Sequence, residues 1–338
     1  MPARVTIKDV AAQAHVSYQT VSKVLNNQAQ VSADTEKRIW RAVKKLGYVP
    51  NHRARDLRIQ RSHMLGYSWR PDTPNQINPI LDMFLHSMVE AADAKGYHIL
   101  PFPHSDPENH IHSYRDLIRT GRVDGFILSS VEYQDSRVKF LRREKFPFVA
   151  FGEADPESDL FVDVDGTAGM MLVTQHLIAQ GHTRIAILGW PKTSRVGQNR
   201  LDGYLKAMRE ARLETRPAWI ARGEGSFDFG YETTRKWLDA RVRPTAIAAV
   251  TDLLAVGAMR AIQASGLRVG ADIAVTGFDD TPMAQYLTPA LTSIRQPIWQ
   301  VGQQVIELLV NSLEQAPLAE TQVILKPELI VRESSVGR

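Results

Sequence analysis

The chain has 338 residues, of which 43% are hydrophobic and 23% charged, proportions typical of a globular protein with two or three folding units. It contains no cysteine, which excludes disulfides, thiolate nucleophiles and cysteine metal sites. No apolar run is long enough to span a bilayer, and the first residues lack an apolar signal-peptide core, so we expect a cytoplasmic protein.

The net charge of +4 is unevenly distributed. Residues 1–61 hold twelve Lys and Arg against four Asp and Glu, a balance of +8, whereas the rest of the chain has a balance of −4. This asymmetry indicates that the first segment binds a polyanion. A solvated basic tail is disfavoured because the same segment is patterned as a packed domain.

Three short amphipathic helices are predicted between residues 6 and 47. Thr6, Ser17 and Ser32 can cap their starts, and Gly47 suits the left-handed end of the third. Because none of the three apolar stripes can be buried alone, they are expected to share one core. A helix, a tight turn, a second helix and a bracing third helix form a helix-turn-helix domain.

The second helix is then the recognition helix. Its polar face offers groups that can contact base edges in the major groove, from Tyr18, Gln19, Ser22, Lys23 and Asn26. For Tyr18, Gln19 and Lys23, base contact is favoured over simple surface exposure. Hydroxyls near the helix starts suit phosphate contacts and can also act as caps, at Thr6, Ser17, Thr20, Ser32 and Thr35.

These residues resemble the DNA-binding signature of the LacI/GalR family of regulators. The resemblance is carried by residues 5–11 (VTIKDVA), 16–26 (VSYQTVSKVLN) and 46–51 (LGYVPN), and it extends more loosely over nearly the whole chain. It implies that Lys23 stands where many members carry Arg, which presents a planar fork to guanine.

Residues 51–63 form the predicted hinge. The segment is too short and too charged to be a stable helix alone, and by itself it would be interpreted as a flexible linker. The resemblance implies instead that it becomes helical on operator DNA and pairs with a second copy in the minor groove. Leu57 would wedge the central base step, Ala54 would lie at the helix contact, Arg55 would follow the groove wall, and Asn51 closes the family motif.

From Met64 onward, β-rich runs alternate with helical ones, which predicts parallel sheets with crossover helices. The predicted strands are Met64–Trp69, Tyr97–Phe102, Gly125–Ser129, Phe148–Phe151, Ile185–Gly189, Ala246–Val250 and Ile273–Gly277. Examples of the predicted helices are Ile80–Lys95, Gly166–Gln180 and Leu253–Ser265.

The resemblance supplies the body's topology: a two-lobed α/β effector domain like the type I periplasmic binding proteins. The predicted organisation is a head at 1–50, a hinge at 51–63 and an effector and dimerisation domain at 64–338. Lobe 1 would take about 64–163 and 294–325, and lobe 2 about 164–293 and 326–338. A ligand would bind in the cleft at the carboxyl ends of the strands.

The resemblance also implies ligand contacts from Arg200, Asp279, Thr251 and Gln296, with a threonine at 251 where the family often has asparagine. Gly225 stands where one well-known member has a stacking tryptophan. A ring could come instead from Trp69 or Phe227, although either could equally belong to a lobe-interface core. Glu153 follows the fourth strand, where many relatives have arginine. Asp280 is interpreted as a structural turn residue, and Asp252 as a possible helix cap.

No phosphate-binding glycine loop, nucleophile elbow or zinc-protease motif is present, so no enzyme and no cofactor is expected. His104, His110 and His112 are interpreted as a solvated cluster in preference to a metal site. The predicted function is a homodimeric repressor of a pseudo-palindromic operator, released by a sugar or glycoside inducer. The alternatives are a corepressor-type response to a non-sugar ligand and a solute-binding protein without a transcriptional role.

Overall fold

The computed structural model describes residues 5–25, 31–48, 61–69, 78–103, 110–153 and 160–336. The chain divides into two compact units, Met1–Ser62 and His63–Arg338. They are called the head and the body below, and each is described by itself.

The described part of the head consists of three helices, α1 (Ile7–Ala14), α2 (Tyr18–Leu25) and α3 (Ala33–Leu46). Their apolar stripes meet in one core that includes Val10, Val21 and Ile39, each fully buried. Helices this short are marginal in isolation, so the shared core is what stabilises them. The predicted three-helix domain is confirmed.

The helix ends follow the predicted chemistry. The backbone N–H of Thr6 donates to the Asp9 carboxylate at 2.7 Å, which is half of a capping box. The Ser17 and Ser32 hydroxyls accept from the N–H groups of Thr20 and Thr35, at 3.1 and 3.3 Å. Residues 15 and 47 end α1 and α3 in the left-handed conformation, which glycine adopts readily at 47.

The first sheet of the body is six-stranded and parallel, in the order β11-β5-β4-β3-β1-β2. Its strands are β1 (Met64–Trp69), β2 (His98–Pro103), β3 (Gly125–Leu128), β4 (Phe148–Phe151), β5 (Leu160–Val164) and β11 (Gln322–Leu325). Its helices are α4 (Pro79–Ala94), α5 (His110–Arg119), α6 (Ser136–Glu144) and α11 (Ile298–Leu313). Two core clusters lie against it, one with α4 and α11 and one with α5 and α6, as a buried parallel sheet requires.

The second sheet is four-stranded and parallel, in the order β7-β6-β8-β9. Its strands are β6 (Ile185–Gly189), β7 (Ile220–Arg222), β8 (Ala246–Ala249) and β9 (Ala274–Thr276). Its helices are α7 (Gly166–Ala179), α8 (Arg195–Glu210), α9 (Phe227–Asp239) and α10 (Asp252–Ala264). The core between these elements is the largest apolar cluster among the described residues.

The chain passes from the first sheet to the second after β5 and returns with α11 and β11. A separate antiparallel pair joins β10 (Ser293–Arg295) to β12 (Glu328–Ile330). The predicted α/β class is confirmed. Three of the seven predicted strands have the predicted bounds, and the other four differ by one residue at one or both ends. Strands β5, β7, β10, β11 and β12 were not predicted, because they are short or interrupted by charged residues.

Candidate functional sites

The outer face of α2 is the candidate nucleic-acid interface. Tyr18, Gln19, Ser22 and Lys23 fall within an arc of about 140° on the helix, opposite the buried Val21 and Val24. Tyr18 is 53% exposed, Gln19 and Lys23 are also exposed, and Ser22 is half-buried. The helix therefore presents a ring, an amide and an ammonium group together to its surroundings.

Hydroxyl pairs stand at the starts of α2 and α3. The Ser17 and Thr20 hydroxyls lie 2.8 Å apart, and those of Ser32 and Thr35 lie 2.9 Å apart. Thr6 precedes α1, and its hydroxyl donates to Asp9 at 2.7 Å. The other predicted DNA-contacting residues lie outside the described part of the chain: Asn26, Asn51, Arg55 and Leu57.

Arg200, on α8, is the centre of the candidate effector site. It is only 4% exposed, and its Nη1 donates to the carbonyl of Val250, directly after β8. Its guanidinium carbon lies 3.7 Å from the ring centroid of Phe278 and 5.1 Å from that of Trp190. Its Nε is buried without a hydrogen-bond partner among the described residues. A buried arginine with a donor to spare can bind an oxygen of a ligand.

Asp279 faces Arg200 from beyond β9. Its Oδ1 lies 3.8 Å from Arg200 Nη1 and accepts a hydrogen bond from Gln296 Nε2 at 2.7 Å. Its backbone has φ of 131°, which is strained for a residue with a side chain. Burial raises the pKa of Asp279 to about 8, although the charge of Arg200 lowers it. The structure thus brings three predicted residues into one polar cluster.

Asp163, at the end of β5, is a fourth member that the sequence analysis missed. Its carboxylate accepts from the backbone N–H of Glu153 at 3.1 Å and of Val164 at 2.7 Å. Burial raises its pKa to about 6, while these hydrogen bonds and the charge of Arg200 lower it. Its position at the end of a strand could have marked Asp163 as a candidate site residue, but β5 itself was not predicted.

Thr251 and Asp252 follow β8 and begin α10. The Thr251 hydroxyl accepts from the backbone N–H of Leu254 at 3.3 Å, so Thr251 caps the helix. The Asp252 carboxylate accepts from the Ser293 hydroxyl at 2.5 Å and from the N–H and hydroxyl of Thr281 at 2.7 and 2.9 Å. Asp252 therefore links α10 to the segments around β9 and β10. The helix cap is Thr251 and not Asp252, which the sequence analysis had considered for that role.

The remaining predicted residues lie around this cluster. Glu153 forms an ion pair with Arg195, the first residue of α8, at 3.4 Å. Trp69 ends β1 and is 47% exposed. Phe227 begins α9 and stacks on Tyr231 with ring centroids 6.1 Å apart. The rings beside Arg200 belong instead to Phe278 and to Trp190, which follows β6, and neither was predicted as a ring of the site.

Asp280 is held by two arginines, with Arg295 and Arg332 each 2.7 Å from its carboxylate. Within the described ranges, no three His, Asp or Glu side chains are grouped so as to hold a metal ion, and His104 lies outside those ranges. None of the described helices is both long and apolar enough to cross a membrane.

Comparison with known proteins identifies both parts of the chain. Residues 6–51 match the family model of bacterial regulatory proteins of the lacI family, and residues 174–335 match that of the periplasmic binding protein-like domain. The chain is 33% identical to the ribose operon repressor of Escherichia coli strain K12 over 333 residues, covering 98% of this chain and 99% of the relative.

Solved structures agree with this comparison. A LacI-family regulatory protein from Chloroflexus aggregans is 51% identical with a TM-score of 0.77, covering 81% of this chain and 99% of its own. The regulator CelR in complex with cellobiose is 30% identical with a TM-score of 0.76, over 98% and 100% of the two chains. The lac repressor dimer bound to operator and an anti-inducer is 28% identical with a TM-score of 0.84, over 99% and 100%.

A helix-turn-helix head attached to a two-sheet periplasmic-binding-protein-like body defines a DNA-binding regulator with a ligand-sensing domain. The chain belongs to the LacI family of bacterial transcriptional regulators. It is therefore a DNA-binding repressor and not an enzyme, as the sequence predicts.

Proposed function

We propose that this protein is a homodimeric repressor in the cytoplasm, and that a sugar or glycoside binding to the body releases it from a pseudo-palindromic operator. The head would be residues 1–50, the hinge 51–63 and the sensor 64–338. Within the sensor, lobe 1 would comprise about 64–163 and 294–325, and lobe 2 about 164–293 and 326–338. The lac repressor of known structure is a dimer on its operator, which supports the assembly.

The observation that carries the sugar proposal is the cluster of Arg200, Asp279 and Gln296 at the carboxyl ends of the strands. Carboxylate, guanidinium and amide groups together match the donors and acceptors that a sugar's hydroxyls present. Open α/β sheets bind small molecules at this edge. CelR, which is similar over nearly the whole chain, is solved with cellobiose.

The other proposed effector contacts differ in how directly they reach the cluster. Thr251 keeps its O–H as a donor while its oxygen caps α10. Glu153 is linked to the cluster through its backbone bond to Asp163. Trp69 and Phe227 are proposed as outer walls of the site.

On the DNA side, Tyr18, Gln19, Ser22, Lys23 and Asn26 are proposed to contact base edges. The hydroxyls at the helix starts, on Thr6, Ser17, Thr20, Ser32 and Thr35, are proposed to contact phosphates. In the hinge, Asn51, Arg55 and Leu57 are proposed to act in the minor groove, with Leu57 as the wedge.

The control is a two-state equilibrium. One arrangement of the lobes holds two heads at the half-site spacing, and the other does not. A ligand that binds the second arrangement more tightly shifts the population and weakens operator binding. The ion pair between Glu153 and Arg195 joins the two sheets' edges and is a contact that such a movement would change.

The proposal is tested by a thermal-shift screen of the purified chain with sugars, glycosides and nucleobases, followed by operator binding in the presence of each hit. We expect one or more sugars to raise the melting temperature and to weaken operator binding. A screen in which only nucleobases stabilise the protein, or a sugar that tightens operator binding, would contradict the inducer proposal.

A further inference from the structure

Trp190 occupies the carboxyl end of β6, a central strand of the second sheet. It follows Gly189 directly, and β7 and β8 flank the strand. The side chain is half-buried. Its ring centroid lies 5.1 Å from the guanidinium carbon of Arg200, so the indole borders the candidate effector site.

Two glycines leave the space that the indole fills. A Cβ at Gly225 would lie 2.6 Å from Trp190 Nε1, and a Cβ at Gly197 would lie 2.7 Å from Trp190 Cβ. Both distances are shorter than real Cβ contacts, so a side chain at residue 197 or 225 would displace Trp190 from this position.

The backbone that carries the indole is also fixed. Arg222, at the end of β7, donates from Nε to the carbonyl of Trp190 at 2.9 Å and from Nη2 to that of Pro191 at 3.1 Å. Its Nη1 donates to Gln198 Oε1 at 2.8 Å, which connects this turn to α8. A side chain whose backbone is fixed in this way is partly pre-organised and loses less entropy when a ligand packs on it.

We propose that Trp190 is the ring-stacking residue of the effector site and that the effector is a pyranose-containing carbohydrate. This inference rests on the proposed function. A pyranose has a face of C–H groups and an edge of hydroxyls, so it needs an apolar plane next to hydrogen-bonding groups. Trp190 supplies the plane, and Arg200, Asp279 and Gln296 supply the polar groups beside it.

The test uses the full chain and four probes: cellobiose, methyl α-glucoside, methyl β-ribofuranoside and adenine. Binding is measured by calorimetry for the wild type, Trp190→Ala and Trp190→Phe. Trp299→Phe is the matched control, because Trp299 is a partly exposed tryptophan at the start of α11. We expect cellobiose or the glucoside to bind the wild type, Trp190→Ala to bind it about tenfold or more weakly, and Trp190→Phe and Trp299→Phe to bind it nearly normally.

Fluorescence provides a second readout that does not depend on the alanine variant folding. The same sugar should change the tryptophan emission of Trp299→Phe but leave that of Trp190→Phe nearly unchanged. Normal sugar affinity in Trp190→Ala, or a sugar-induced change in the emission of Trp190→Phe as large as that of the wild type, would overturn the assignment of Trp190. Binding of adenine or the ribofuranoside alone, or of none of the probes, would overturn the pyranose class.

Operator binding without sugar separates this inference from the proposed function. The control variant Trp299→Phe should bind operator as the wild type does. If the wild type itself prefers no operator over random DNA, the proposed function fails. If operator control by a sugar is intact and only the Trp190 results are negative, the inference alone fails.

Discussion

Arg200 Nη1 and Asp279 Oδ1 lie 3.8 Å apart, with both side chains almost entirely buried at the carboxyl edge of the second sheet. The separation is longer than a hydrogen bond, so both groups keep hydrogen-bonding capacity that a ligand can use. Burial nevertheless raises the pKa of Asp279 to about 8, because the loss of water outweighs the attraction of the guanidinium. Burying Asp279 away from water therefore costs free energy, and a ligand that forms hydrogen bonds with it can offset part of that cost.

The raised pKa of Asp279 predicts a pH-dependent stability. The folded chain holds a proton on Asp279 that the unfolded chain releases near pH 4. The contribution of this proton to the free energy of unfolding is therefore fully present below about pH 4 and is lost as pH rises through about 8. Asp279→Asn removes the titration. We expect its free energy of unfolding to fall less between pH 5 and pH 9 than that of the wild type.

Denaturant unfolding at five pH values across that range measures the difference. Asp239→Asn, at the exposed end of α9, is the control and should follow the wild type. Parallel pH profiles for Asp279→Asn and the wild type would show that Asp279 does not titrate in this window.

Gln19→Ala should relax operator specificity. Gln19 is exposed on the proposed recognition face of α2, and an amide bound to an adenine edge contributes about 1–3 kcal/mol of discrimination. We expect the preference at one base pair of each half-site to be lost while affinity for random DNA is unchanged. Gln13→Ala, at an exposed position of α1, is the matched control. Equal effects of the two substitutions on specificity would argue against α2 as the recognition helix.

Gly257→Ala should destabilise the body although alanine favours helices. Helices α9 and α10 cross so closely that a Cβ at Gly257 would lie 2.3 Å from the carbonyl oxygen of Phe227 and 2.9 Å from the backbone nitrogen of Tyr231. Overpacking costs about 1–3 kcal/mol, more than the roughly 1 kcal/mol gained from helix propensity. Thermal unfolding measures the change, with Arg260→Ala at an exposed position of α10 as the control. A higher melting temperature for Gly257→Ala would mean that the crossing is looser than described.

Glu153 and Arg195 should be energetically coupled. Their 3.4 Å ion pair is partly buried, and the Arg195 guanidinium also lies 4.9 Å from the ring centroid of Tyr133. A double-mutant cycle with Glu153→Gln and Arg195→Gln should give a coupling of about 0.5–1 kcal/mol that diminishes at high salt. Additive effects of the two substitutions would show that this ion pair does not couple the two sheets energetically.

The sequence predicts the architecture well because buried parallel strands and capped helices are local patterns. Thr6, Ser17, Ser32 and Gly47 terminate helices as their chemistry indicates. The strands that were missed, such as Leu160–Val164, contain or adjoin charged residues that interrupt an apolar run. Asp163 was missed with its strand, because its proximity to the charge of Arg200, 37 positions later, is not a local pattern.

The proposed ring of the effector site shows a second limit of sequence analysis. The family resemblance indicated the missing side chain at Gly225, but the sequence could not show that Trp190, 35 positions earlier, lies in the space beside it. Phe227 was a reasonable candidate by position, yet it stacks on Tyr231 one helical turn later. Distances between residues far apart in sequence decide such assignments, and periodicity carries no information about them.

The most direct measurement is selection of duplexes from a random library by the full-length protein, followed by titration of the selected duplex with and without the sugar found by thermal shift. The account predicts convergence on a pseudo-palindrome, affinity that decreases steeply with salt, and at least tenfold weaker binding when the sugar is present. Recovery of unrelated duplexes that bind equally well with and without the sugar would contradict it.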